Sequence, residues 1–216
     1  MILQRLITAL RNLGYKNRFQ IKAGNTLSLP PSSERLLKKV TIKLRGSNNR
    51  LCIGENVTLN HCEIRLSGND NLIEIGDNAR FSSGKIYLND TCGQHIRIGA
   101  ETTVQGAYLL IDEAASIDIG RDCMLSTDIM IRTGDKHSIL DAASGQRINP
   151  SQDIHIADRV WIGRSATLLK GTVLQPETIV ATRALVCRKF TEGHCVIAGI
   201  PAEIVKRGVR WDRELL

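Results

Sequence analysis

Six aliphatic residues in the C-terminal third of the chain, Ile156, Ile162, Leu168, Leu174, Val180 and Val186, stand six positions apart. An α-helix repeats every 3.6 residues and a flat strand every 2, so a sustained period of six fits neither. It fits a chain that turns through a fixed angle every six residues and points one aliphatic side chain inward per side. The fifth residue of each hexad is small or β-branched: Val160, Ala166, Thr172, Thr178 and Ala184. An ordinary buried strand rich in Val and Ile would not hold one phase over so long a stretch. Self-similarity of this kind predicts a parallel β-helix, in which each coil buries its aliphatics against the coils above and below.

The repeat continues toward the N-terminus in looser form. An aliphatic-x-aliphatic pair followed by Gly or Ala begins at Leu51, Ile73, Ile96, Ile117 and Ile154. A second ladder, Ile42-x-Leu44, Ile64-x-Leu66, Ile86-x-Leu88, Leu109-x-Ile111 and Ile129-x-Ile131, interleaves with it. Stacked strands lie about 4.8 Å apart, so the roughly seven coils between residues 40 and 190 make a prism on the order of 35 Å tall. Asn, Asp and Gly gather between the ladders at 46–49, 68–71 and 89–93, where corners require left-handed backbone. The expectation is one elongated all-β domain over residues 40–190, followed by a C-terminal tail, 191–216, packed over the last coils.

A solenoid must cover its terminal edges. Ile2, Leu3, Leu6, Ile7, Leu10 and Leu13 form one helical stripe that Gly14 terminates, and no acidic residue precedes Glu34. Two readings compete for this N-terminal amphipathic helix: a cap on the bottom coil, or a basic helix lying on the inner face of an anionic membrane. Residues 28–39, with Pro30 and Pro31, read as a linker, so that 1–39 precede the solenoid. No stretch is apolar over the eighteen or so residues that a membrane span needs, and the helix lacks a signal-peptide cleavage pattern. The six cysteines show no CxxC spacing and read as reduced residues of a cytoplasmic protein. A net charge of +7 favours polyanionic ligands, but only 4% of residues are aromatic, which argues against nucleic acid.

Between Ile131 and Asp153 the ladder is interrupted by a polar excursion, over 132–153, that contains His137. Function on a repeat protein concentrates at such interruptions. A single histidine in a loop is nonetheless more often a solvated side chain than a catalyst. His155 aligns with Cys52, Glu74, Arg97 and Asp118, at positions expected to face solvent, while His61, His95 and His194 fall at corners or in the tail.

The hexad array, His137, Val160-Trp161-Ile162-Gly163-Arg164, Leu169-Lys170-Gly171 and Ile197-Ala198-Gly199-Ile200-Pro201-Ala202 together resemble the left-handed β-helix acetyltransferases. Within them the chain is similar to the O-acetyltransferases of bacterial surface polysaccharides, including capsular polysialic acid. The likeness is specific over roughly residues 115 to 211 and architectural before that. Ile200 stands where an Asn commonly precedes that Pro, and Ala157 and Ala181 replace repeat glycines.

The resemblance implies a left-handed coil, a homotrimer and acetyl-CoA as co-substrate, lying in a groove between neighbouring prisms. It implies His137 as general base toward a sugar hydroxyl, and Trp161 as indole donor to the acyl oxygen. Asp135, Asp128 or a backbone carbonyl would orient His137. CoA contacts are expected from Trp161, Gly163, Arg164, Lys170, Thr182, Arg188, Pro201 and Lys206; for each cation the plainer reading is a solvated face. No metal is expected: a γ-type carbonic anhydrase shares the architecture but needs three histidines around zinc, and no His-x4-His pair occurs. A sugar N-acetyltransferase or a small-molecule O-acetyltransferase would keep the same mechanism, and a scaffold β-helix is the non-enzyme alternative. Arg45, Arg50, Arg80, Lys85, Arg97, Arg121 and Arg132, spread over the outer faces, suggest an acidic glycan acceptor, and otherwise only keep the prism soluble.

Overall fold

The computed structural model describes residues 15–216. Three sheets run along it, and the chain visits them in rotation as far as Leu185–Val186. Among the described residues the first sheet stacks eight strands from Arg18–Ile21 to Leu185–Val186, and the second stacks seven from Thr26–Ser28 to Val173–Leu174. The third stacks nine, from Leu37–Lys38 to Ala202–Arg207. Pairing is parallel except at the last strand of the third sheet, and Ile42, Ile64, Ile86, Leu109, Ile131 and Leu168 form one column in register, all buried. Each fully buried aliphatic contributes about 1.5–3 kcal/mol. The molecule is an all-β parallel solenoid around one continuous core, as the hexads predict.

The corners show how six residues make one side. Arg159, Ser165, Gly171, Glu177 and Arg183, again six apart, all have positive φ, between 55° and 75°. Each immediately precedes one of the small corner residues, Val160, Ala166, Thr172, Thr178 and Ala184, and every one of those is buried. Left-handed backbone costs a non-glycine residue about 1–2 kcal/mol, an expense offset by the aliphatics that the turn drives inward. The buried hydroxyls of Thr172 and Thr178 donate to the carbonyls of Leu169 (2.6 Å) and Gln175 (2.7 Å), so neither is left unsatisfied. In the looser coils Asn56, Asn78, Glu101 and Asp122 take the same conformation, with φ between 49° and 65°, before the buried Val57, Ala79, Thr102 and Cys123. Where the backbones approach most closely a glycine is required, as at Gly46, with φ +83° and a Cβ that would lie 1.8 Å from the Gly68 carbonyl oxygen.

Two boundaries differ from the sequence reading. The stretch expected as a linker belongs to a complete coil built from Arg18–Ile21, Thr26–Ser28, the short helix Pro31–Glu34 and Leu37–Lys38. Ser33 fastens that corner, donating to the Gly54 carbonyl (2.6 Å) and accepting from the Val57 amide (2.8 Å). The amphipathic helix of residues 2–13 lies outside the described residues. At the other end, Cys195–Gly199 and Ala202–Arg207 form an antiparallel hairpin over the top of the third sheet. The chain then descends the outside of that sheet, where Arg213 reaches Thr103 and Asp122, so the tail covers much more than the last coils. All six cysteines are free thiols.

Candidate active site

The polar excursion leaves the first sheet after Ile129–Arg132 and rejoins the second at Ile154–Ile156. Its neck is closed by the Gln152 amide donating to the Thr133 carbonyl (3.0 Å), and its tip is a small hairpin with Leu140 opposite Arg147. One buried side chain organises the loop. Asn149, 6% exposed, donates to Asp135 Oδ2 (2.8 Å) and to the His137 carbonyl (2.9 Å), while its Oδ1 accepts the Ile139 amide (2.7 Å). Lys170, one coil above, bonds both Asp135 and the Asn149 carbonyl (3.1 Å). Arg147 grips both oxygens of Glu113 from Nη2 (2.6 and 2.9 Å). These contacts lower the carboxyl pKa of Asp135, through Lys170 first and Asn149 second, and that of Glu113, through Arg147. The backbone of His137 is thus held on one side while the residue itself is exposed. Asp135 bonds Lys170 and Asn149, and Asp128 bonds Arg164, so neither carboxylate bonds the imidazole that it was considered to orient.

Trp161 projects from the third sheet, between Met124 below and Ile179 above, and is 37% exposed. Its indole N–H has no acceptor among the described residues. Gly163 follows it at the corner toward the first sheet, where a Cβ would lie 2.7 Å from the Thr182 nitrogen and 2.8 Å from the Val180 oxygen. That glycine is therefore required by the coil above, whatever else lies near it. Arg164 bonds Asp128 (3.2 Å) beneath the exposed Thr182. Pro201 sits in the turn of the terminal hairpin, after a cis peptide, and Lys206 pairs with Val196 on its outer strand without an ion pair among the described residues.

The expected site residues thus fall on two parts of the prism. His137, Lys170 and Arg188 occupy the edge between the first and second sheets, where a pocket of about 320 Å³ is lined by Asp135, Lys170, Arg188 and Lys189. Trp161, Gly163, Arg164, Thr182, Pro201 and Lys206 occupy the third sheet and the edge beyond it. Arg188 reaches toward the second group by an ion pair to Glu203. The column expected to face solvent, Cys52, Glu74, Arg97, Asp118 and His155, does so along the second sheet. His95, expected at a corner, instead opens the strand His95–Ile98 and shares Asp118 with His155 (3.0 and 3.3 Å). No cluster of three metal-ligating side chains occurs among the described residues, and no helix among them is long and apolar enough to cross a membrane.

No family model matches the chain. A polysialic acid O-acetyltransferase of Neisseria meningitidis is 35% identical over 191 residues, 88% of this chain and 87% of that protein. The chain belongs to the bacterial hexapeptide-repeat O-acetyltransferases. It is accordingly an acyltransferase. A polysialic acid O-acetyltransferase of Escherichia coli O1:K1 / APEC is 34% identical over 123 residues, 57% of this chain but only 40% of that longer protein. A crystal structure of a polysialic acid O-acetyltransferase superposes with a TM-score of 0.80 at 31% identity, covering 93% of this chain and 92% of that one. For this O-acetyltransferase, sequence reading missed Asn149, whose polar side chain in a polar loop carries no signal of its own. It also missed Trp211, whose place beside Trp161 depends on the path of the tail.

Proposed function

We propose that this O-acetyltransferase carries an acetyl group from acetyl-CoA to a hydroxyl of a bacterial surface glycan, a capsule or a lipopolysaccharide O-antigen. The observation that carries this reading is His137, exposed on a loop whose backbone Asn149 holds fixed. A sugar hydroxyl is too weak an acid to ionise unaided near neutral pH, and a neutral imidazole takes its proton as attack proceeds. The new C–O bond forms at the thioester carbonyl, the C–S bond breaks, and the departing CoA thiolate recovers the proton from the imidazolium. The Trp161 N–H meets the acyl oxygen as negative charge develops on it. Lys170, Arg188 and Lys189 supply the cationic pocket that CoA phosphates require, competing with Asp135 and Glu203 for them.

Because His137 and Trp161 stand on different parts of one prism, the complete site joins the loop edge of one chain to the third sheet of another. A homotrimer of left-handed prisms provides three such grooves. Acetyl-CoA is a cytoplasmic metabolite, which supports a reaction in that compartment. Arg45, Arg50, Arg80, Lys85 and Arg121 have no ion pair among the described residues, which supports attraction of an acidic glycan. Such an acceptor would show a KM that climbs with salt at little change in kcat. The test is CoA thiol release from acetyl-CoA with purified capsular and O-antigen glycans, with the acetylated product weighed by mass spectrometry. Release is expected to depend on the glycan and to be lost in His137→Ala. Release equal with and without any glycan would contradict the reading.

A further inference from the structure

The tail does something that edge capping does not explain. The hairpin Cys195–Gly199 and Ala202–Arg207 already covers the top of the third sheet, and the strands below it are paired to their neighbours. Yet the chain runs on down the outer face and is fastened there by bonds to several coils. Trp211 is 4% exposed, and its indole N–H donates to the Arg159 carbonyl (2.7 Å). Its own carbonyl accepts Arg159 Nη2 (3.1 Å). The guanidinium groups of Arg159 and Arg213 lie 5.2 and 5.6 Å from its ring centroid. Both arginines share Asp122, at 2.6 and 2.8 Å, and Arg213 also bonds Thr103 Oγ1 (2.9 Å) and the Cys123 carbonyl (3.0 Å).

What this clamp holds in place is a ring 6.4 Å, centroid to centroid, from that of Trp161 and tilted by 52° to it. The two indoles differ in one respect. The N–H of Trp211 is committed to backbone, and that of Trp161 is free for a ligand. An exposed tryptophan can swing between rotamers, and a fixed aromatic wall beside it narrows that choice. We propose that Trp211, clamped by Arg159 and Arg213, is a positioning residue that sets the ring of Trp161 and forms the rigid wall of the acyl site. This rests on the reading of Trp161 as donor to the acyl oxygen.

The chain has two tryptophans, so Trp211→Phe and Trp211→Ala each leave Trp161 as the sole reporter of its own motion. Phe keeps the wall and Ala removes it. Trp211→Phe should retain most of kcat and a slow anisotropy decay of Trp161. Trp211→Ala should show a faster decay and a kcat about tenfold lower, as expected when a reacting group is misplaced by a fraction of an ångström. Its KM for acetyl-CoA should stay within about twofold, because the lost interaction is made only in the transition state. Should Trp211→Ala fold poorly, Arg213→Ala keeps the indole, loosens the clamp and should move both readouts in the same direction. Equal kcat and equal anisotropy decay in the Phe and Ala variants would overturn the proposal, even if Ala melts earlier, because the tail would then serve stability alone. Should the wild-type protein transfer acetyl to no glycan, the reading of the site falls, while the anisotropy comparison still decides whether Trp211 fixes Trp161.

Discussion

The loop edge and the third sheet reach rigidity by opposite means. On the third sheet, the positions of Trp161 and Gly163 are set by register: Met124 below, Ile179 above, and a backbone spacing that leaves no room for a Cβ at Gly163. The loop has no ladder, and His137 is placed by a few side-chain bonds centred on Asn149 and Lys170. Repetition fixes a residue through the whole stack, whereas a clamp fixes it through bonds that one substitution removes. Changes in the loop should therefore cost turnover while leaving the fold intact, and changes in the stack should cost stability first.

The sharpest contrast comes from His137→Ala, which is expected to lower transfer by about 10²–10⁴ with an unchanged thermal midpoint, since only its backbone is tied down. A steady-state assay beside a melting curve checks both halves. Leu168→Ala, at a fully buried hexad position, should lower unfolding free energy by about 2–5 kcal/mol in denaturant titration. Transfer by the molecules still folded should be nearly normal. Asn149→Ala should reduce kcat by up to about a hundredfold through a displaced His137, with little change in melting; a large drop in melting would mean that the loop is part of the stack after all. Gly163→Ala should destabilise by about 1–3 kcal/mol through overpacking against Val180 and Thr182. A raised KM for acetyl-CoA without destabilisation would instead assign that glycine to the cofactor. The smallest effect belongs to Asp135→Asn, which breaks a half-exposed ion pair with Lys170. The folded state lowers the Asp135 pKa, so the stabilisation is present above the ordinary carboxylate range and lost as pH falls through it. The melting difference between wild type and variant should accordingly be seen at pH 7 and close in acid.

The stack was legible because burial forces a period: Ile156 to Val186 announce it without any reference to structure. The left-handed corners at Arg159, Ser165, Glu177 and Arg183 were not, because non-glycine residues of such different types in that conformation leave no compositional mark. The first coil escaped notice because its first two strands, Arg18–Ile21 and Thr26–Ser28, offer only the half-buried Phe19 and Leu27 to the core. At the site, His137 stood out as a polar break in an apolar ladder. The partners of Lys170 did not, since Asp135 lies 35 residues away and is brought beside it only by the coil. Trp211 lies 50 positions beyond Trp161 in the sequence, and nothing local ties the two.

The central claim is that catalysis joins the loop edge of one chain to the third sheet of another. Mixing His137→Ala protein with Trp161→Ala protein, after joint unfolding and refolding in equal amounts, tests it most directly. Each groove then draws its base and its indole from different chains, so about one quarter of the grooves regain both, and about one quarter of wild-type transfer should return. If both groups served one chain's own site, every site would keep one defect, and transfer in the mixture would stay at the level of the separate variants.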